Sequence, residues 1–160
     1  QDLRSLLKRG EDVEDYTLEL QGHYDNKYTI YQDQNQQGRA GFQVYTVFWP
    51  EGSAAAILVN RGWIAVGRDM QKLPAILPAN APKVVGHVAM PSPYFTVGEP
   101  DYQKRPLRVN RLDLQKVSSA LNIPLQPFFL RLEISTFAPS VIITKLSPWS
   151  IPFRCAKFIK

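Results

Sequence analysis

Thirteen prolines punctuate this chain of 160 residues, most of them at the ends of short apolar runs. Proline inside a helix removes a hydrogen bond and clashes with the preceding turn. The spacing therefore leaves room only for short elements. Tyr16, Leu18 and Leu20 fall on one face of a strand from Tyr16 to His23, with Thr17, Glu19 and Gln21 on the other. Asp25-Asn26 reads as a turn and Tyr28 to Tyr31 as a second strand, so these two make a hairpin. Asp33 to Gly38 is a polar loop. Phe42 to Trp49 is a strand, Pro50-Glu51-Gly52-Ser53 a turn, and Ala54 to Val59 the strand that returns.

Further along, Met70, Leu73 and Leu77 have helical spacing, but Pro74 and Pro78 limit any helix there to about two turns. Pro78 to Pro82 is a linker, Lys83 to Met90 a strand, Phe95-Thr96-Val97 a short extended piece, and Lys104 to Val109 extended and basic. Leu112, Leu114, Val117, Ala120 and Leu121 predict the best helix in the chain, capped by Asn110 or Asp113. Phe128 to Ile134 and Val141 to Leu146 read as strands, and Leu3, Leu6 and Leu7 as one face of a short amphipathic helix over residues 2–9. The sum is seven or eight strands with two or three short helices. Short turns between strands imply antiparallel pairing. The fold class is mainly β with a few short helices (α+β), a small antiparallel β-barrel or sandwich, in a single domain over residues 1–160 with a separate tail at 136–160.

Composition narrows the chemistry. The chain carries 19 Lys and Arg against 14 Asp and Glu, a net charge of +5, which suits an anionic neighbour such as nucleic acid or lipid head groups. The lone cysteine, Cys155, excludes an internal disulfide and a thiolate metal cluster. His23 and His87 are far apart and each sits in a strand, which reads as a satisfied edge or core histidine; Met70 and Met90 read as core residues. Asp12, Glu14 and Asp15 are adjacent acids on a solvated connector, and Cys155 has no histidine near it in sequence. Gly38-Arg39-Ala40-Gly41 lacks the lysine and helix of a phosphate loop. No catalytic residues and no metal site are assigned, and the chain is not read as an enzyme. No apolar run reaches the roughly 18 residues of a membrane helix, and both ends break off abruptly, so the chain is read as a piece of a longer one.

The centre of the chain is Ile57-Leu58-Val59-Asn60-Arg61-Gly62-Trp63-Ile64. It reads as a buried strand ending at Asn60-Arg61, a glycine that frees the backbone, and an indole dropped back onto the core. Arg61 at a surface turn either satisfies backbone carbonyls or faces a partner or membrane. Asn60, Arg61, Gly62 and Trp63 are the candidate partner-binding residues.

Val59-Asn60-Arg61-Gly62-Trp63 resembles the hallmark of the Surfeit locus protein 1 family, the SURF1-like cytochrome c oxidase assembly factors. Leu20-Gln21-Gly22-His23-Tyr24-Asp25, Gly38-Arg39-Ala40-Gly41-Phe42-Gln43-Val44 and Val85-Gly86-His87-Val88 are similar to further family motifs in the same order. Residues 109–113 followed by Pro127-Phe128-Phe129-Leu130 fit its later part, so the resemblance covers about residues 3–135, and residues 136–160 depart from the pattern.

The resemblance implies an extramembrane domain between two membrane helices. It implies docking to haem-copper oxidase subunit one or to haem-handling proteins, at the cell inner membrane on the periplasmic side or at the mitochondrial inner membrane on the intermembrane-space side. The family's haem-linked histidine lies in its second membrane helix, beyond Lys160. Haem a is therefore expected through that absent helix, with weak or no binding here and no cofactor in these residues. No nucleic-acid partner is expected; the alternative from a different class is a basic small-barrel nucleic-acid-binding module.

Overall fold

A computed structural model describes residues 16–93 and 97–133 of the chain. Six strands form one mixed sheet: β1 (Thr17–Asp33), β2 (Gly41–Pro50), β3 (Ala56–Ala65), β4 (Lys83–Ala89), β5 (Leu107–Val109) and β6 (Leu125–Leu132). The strand order is β2-β3-β6-β4-β1-β5, and β2 pairs with β1 as well. Pairing therefore runs in a circuit from β1 through β2, β3, β6 and β4 back to β1. One helix stands among the described residues, α1 (Leu114–Leu121).

Both faces of β3 are buried, which explains its unbroken apolar run. Ile57 and Val59 join Leu18, Leu20, Phe48, Val84, Val88, Phe128 and Leu130 on one side. Ala56 and Leu58 join Ile30, Val47, Phe129 and the helix residues Leu114, Val117 and Leu121 on the other. The predicted helix is present. Asp113 is its cap, accepting a hydrogen bond from the Lys116 N–H at 3.2 Å, and Asn122 closes the far end in the left-handed conformation. Asn110 does not cap. Its side-chain amide donates to the Val97 and Gly98 carbonyls, each at 3.0 Å.

The fold corrects several expectations. The hairpin at 16–31 is a single strand: β1 pairs with β4 over Thr17–Gln21 and with β2 from Gly22 to Asp33. The turn-forming residues Asp25 and Asn26 make a register irregularity between Asp25 and Thr29 rather than a reversal. Asn26 is held there by two hydrogen bonds to the backbone of Ala79, at 2.7 and 2.8 Å. The sheet is not purely antiparallel, because β1–β5 and β3–β6 are parallel pairs. Six strands stand among the described residues.

Residues 66–82 hold no helix, since Pro74 and Pro78 break the segment into turns and extended chain. Met70 and Met90 are not core residues; they are 58% and 45% exposed. Pro127 does not precede the last strand but lies within it. It sits in a register irregularity opposite β3, before pairing with β4 begins at Phe129, so no ladder bond is lost to its missing N–H. The expected helix at 2–9, the extended pair Phe95-Thr96, the strand at 141–146, the acids at 12–15 and Cys155 lie outside the described residues. No described helix is long and apolar enough to cross a membrane.

Candidate functional site

The strand β3 does not end at Asn60-Arg61; it continues to Ala65. Its partner β2 keeps register from Phe48↔Ile57 to Tyr45↔Asn60, then resumes at Val44↔Gly62. Arg61 is the extra residue, so the Asn-Arg-Gly-Trp motif is a β-bulge. Gly62 supplies a φ of 122°, a conformation that suits glycine, and the Asn60 side-chain oxygen accepts the Gly62 N–H at 2.9 Å. In a regular strand, residues three apart point to opposite faces. The bulge removes that alternation and puts Asn60 and Trp63 on the same groove, with Arg61 turned away from it.

The surface reading of Arg61 is overturned: it is 3% exposed. Its guanidinium donates to the Leu77 carbonyl at 2.6 Å and to Thr46 Oγ1 at 3.4 Å. Tyr31 donates its hydroxyl to the Pro74 carbonyl at 2.9 Å, so arginine and tyrosine together strap the 66–82 connection to the sheet. Ile64, Val66, Leu73 and Ile76 pack beneath that strap against Tyr31, Phe42 and Val44. Tyr24, from the Gly-His-Tyr-Asp motif, also neighbours Arg61. Burial pushes the Tyr24 phenol up to about 12, and the Arg61 charge opposes that rise. Burial raises Tyr31 as well, again against the Arg61 charge. Burial lowers the Arg61 pKa, and Tyr24 and Tyr31 oppose the shift. An arginine guanidinium keeps its proton in proteins, so Arg61 is a buried cation.

Trp63 does not fall on the core. It is half-buried, and its ring lies on Gly41, where a Cβ would overlap Cζ2 and Cε2 of the indole. The indole N–H donates to the Gln34 carbonyl at 2.8 Å, and the Arg39 guanidinium stands 6.0 Å from the ring centroid. The Gly-Arg-Ala-Gly motif thus seats the tryptophan of the Asn-Arg-Gly-Trp motif.

On the groove side, Gln32 faces Gln43, Gln43 faces Trp63, Tyr45 faces Asn60, and Asn60 faces Arg131 across neighbouring strands. These residues line an open groove of about 740 Å³, with Met90, Leu112, Phe129 and Glu133 at its margins. Three of the four predicted site residues, Asn60, Gly62 and Trp63, meet there; Arg61 does not. Sequence reasoning missed Gln32, Gln43 and Arg131. Register alone brings them together, and one sequence read along its length carries no register signal across strands.

The histidines are apart. His23 is exposed, and His87 is half-exposed, 3.2 Å from Thr17 Oγ1 and 3.7 Å from Glu133. A buried carboxylate that the sequence reading passed over, Glu19, pairs with Lys83 at 3.2 Å. Among the described residues no group of three or more His, Cys, Asp or Glu could hold a metal ion.

Fold and site define a class: a mixed-sheet β domain whose signature motif is a structural bulge beneath an open groove. The sequence model of the SURF1 family matches residues 1–152, and the chain belongs to that family. The match runs well past residue 135, into the tail that the motif reading set apart. No individual curated protein matches the chain.

Proposed function

We propose that this chain is the extramembrane docking domain of a cytochrome c oxidase assembly factor, and that it works by binding other proteins rather than by chemistry of its own. Family membership supports the assembly role. The observation that carries the docking reading is the groove. The bulge spends its buried arginine on strapping the connection 66–82 and turns the buried Asn60 and the half-buried Trp63 toward the groove beside Tyr45, Phe129 and Arg131. Interfaces favour aromatic residues, methionine and arginine and are poor in lysine and acids. The groove lining includes Tyr45, Trp63, Phe129, Met90 and Arg131, with Glu133 as its one acid.

In this reading the groove meets oxidase subunit one or a haem-handling protein. The domain sits on the periplasmic or intermembrane-space side of the inner membrane, carried by flanking helices, and haem a is handled through the second of these. The circuit of strand pairings favours a small barrel over a sandwich. The nucleic-acid alternative needs a basic track along the groove, and Arg131 is the one cation in the lining.

The test is the double variant Gln43→Glu with Met90→Glu in the full-length gene. Normal abundance of the variant with a fall in the cytochrome a absorbance of membranes is expected. Unchanged oxidase content with both charges in the groove would remove the docking role.

A further inference from the structure

The groove is a set of hydrogen-bond donors. The Gly62 N–H can only donate, so it fixes the Asn60 side chain with its oxygen inward and its NH₂ toward the groove. Tyr45 donates to the Gln32 oxygen at 2.8 Å, which turns the Gln32 NH₂ the same way. Gln43 lies between Gln32 and Trp63, and its side chain makes no hydrogen bond among the described residues. Arg131 is exposed, stacks 5.9 Å from the Phe129 centroid, and is paired with no carboxylate among the described residues. Glu133, two residues on, is instead directed at His87. The Asn60 amide, 4% exposed, lies at the floor of the groove, the half-buried Gln32 amide lines its wall, and the exposed Arg131 guanidinium, without a carboxylate among the described residues, stands beside an indole and a phenyl ring.

Such a surface takes acceptors: peptide carbonyls along its length and a carboxylate at the arginine, which holds carboxylates in a two-pronged fork. Its reach fits a chain segment. The lining crosses β1, β2, β3 and β6, and three inter-strand steps span roughly 14 Å, about four residues of extended polypeptide. We propose that the groove binds an extended peptide segment bearing an Asp, a Glu or a free C-terminus, with Arg131 on the carboxylate and the Asn60 and Gln32 amides on backbone carbonyls. This deepens the docking reading above and rests on it for the segment's biological source.

The probe is a random seven-residue peptide library displayed on phage and selected on the whole chain. Synthetic copies of the winners are then measured by fluorescence polarisation against the parent protein, Arg131→Gln and the distant control Arg105→Gln. Circular dichroism verifies that each variant is folded. Winners should carry a carboxylate, weaken with added salt, and lose about tenfold or more in affinity with Arg131→Gln while Arg105→Gln leaves binding unchanged.

No winners, winners without a carboxylate, or affinities indifferent to Arg131→Gln overturn the proposal. Binding of a fifteen-residue oligo-thymidylate that Arg131→Gln abolishes, in place of peptide binding, overturns it too. Oxidase content in cells carrying Arg131→Gln separates the two readings. Lost peptide binding with normal oxidase removes the assembly role and keeps the peptide site. Absent peptide binding with oxidase lost in the Gln43→Glu, Met90→Glu variant removes the peptide site and keeps the assembly role.

Discussion

The Trp63 indole rests on Gly41 with no room for a methyl group between them. Two motifs separated by about twenty residues of chain are thus one packing unit: the first residue of β2 is a glycine to make room for the tryptophan of β3. Gly41→Ala is expected to destabilise the chain by about 1–3 kcal/mol, the usual cost of forcing atoms into a filled site. The Ile64 carbonyl oxygen also lies against that position, and a carbonyl in a ladder cannot swing aside. Adding Trp63→Ala should therefore restore only part of the loss. Full restoration of the urea midpoint in the double variant would show that the ring alone made the contact.

Arg61→Ala should cost roughly 2–5 kcal/mol, because it leaves a cavity and strips the Leu77 carbonyl of its 2.6 Å donor. Its distinctive effect is local. With one strap gone, the 66–82 connection should be cut faster by trypsin at Arg68 and Lys72 while the strands remain resistant. Arg61→Lys should not rescue it, since an ammonium lacks the planar fork that reaches both Leu77 and Thr46. Equal cleavage rates in the parent and in Arg61→Ala would show that the connection is held by other means.

Gly62→Val should also destabilise, by more than about 1 kcal/mol, because a β-branched residue resists a φ of 122°. Asn60→Ala tests the same bulge from its other side by removing the acceptor of the Gly62 N–H; about 1 kcal/mol is expected. The buried guanidinium makes Arg61→Ala costly too. An unchanged thermal midpoint for Gly62→Val would mean that the backbone there relaxes freely.

What was legible in the sequence follows from range. Period-two alternation placed β2 and the valines at 84, 85 and 88 placed β4, each within a residue or two, and Asp113 with the Leu114-Val117-Leu121 spacing marked the helix, because those signals are local. The Asp25-Asn26 pair misled, because a turn dipeptide and a bulge use the same residues and only the partner strand decides between them. Arg61 misled for a related reason. A charged residue after an apolar run looks like a strand end, and its burial depends on Leu77 and Tyr31, which are distant in sequence. The motif residues were legible as a set, and their division into an arginine turned away from the groove and an asparagine and tryptophan turned toward it was not, because one inserted residue inverts which face each position takes.

Alkaline pH provides a test of the Arg61 surroundings. The folded Tyr24 phenol holds its proton to about 12, against an ordinary 10.0, because burial disfavours the phenolate more than the Arg61 charge favours it. The folded pKa is raised, so the stabilising effect is complete below pH 10, where both states are protonated. Between pH 10 and about 12 the unfolded chain releases the proton first and stability falls. Two pH units correspond to at most about 3 kcal/mol. Tyr31 and Tyr45 are raised as well and add to the same slope. Urea midpoints should therefore be level from pH 7 to 9.5 and drop toward pH 11.5, and Tyr24→Phe should flatten that drop while leaving the neutral-pH midpoint nearly unchanged, since no hydrogen bond from the Tyr24 hydroxyl is lost among the described residues. A drop equally steep in Tyr24→Phe would place the responsible phenol elsewhere.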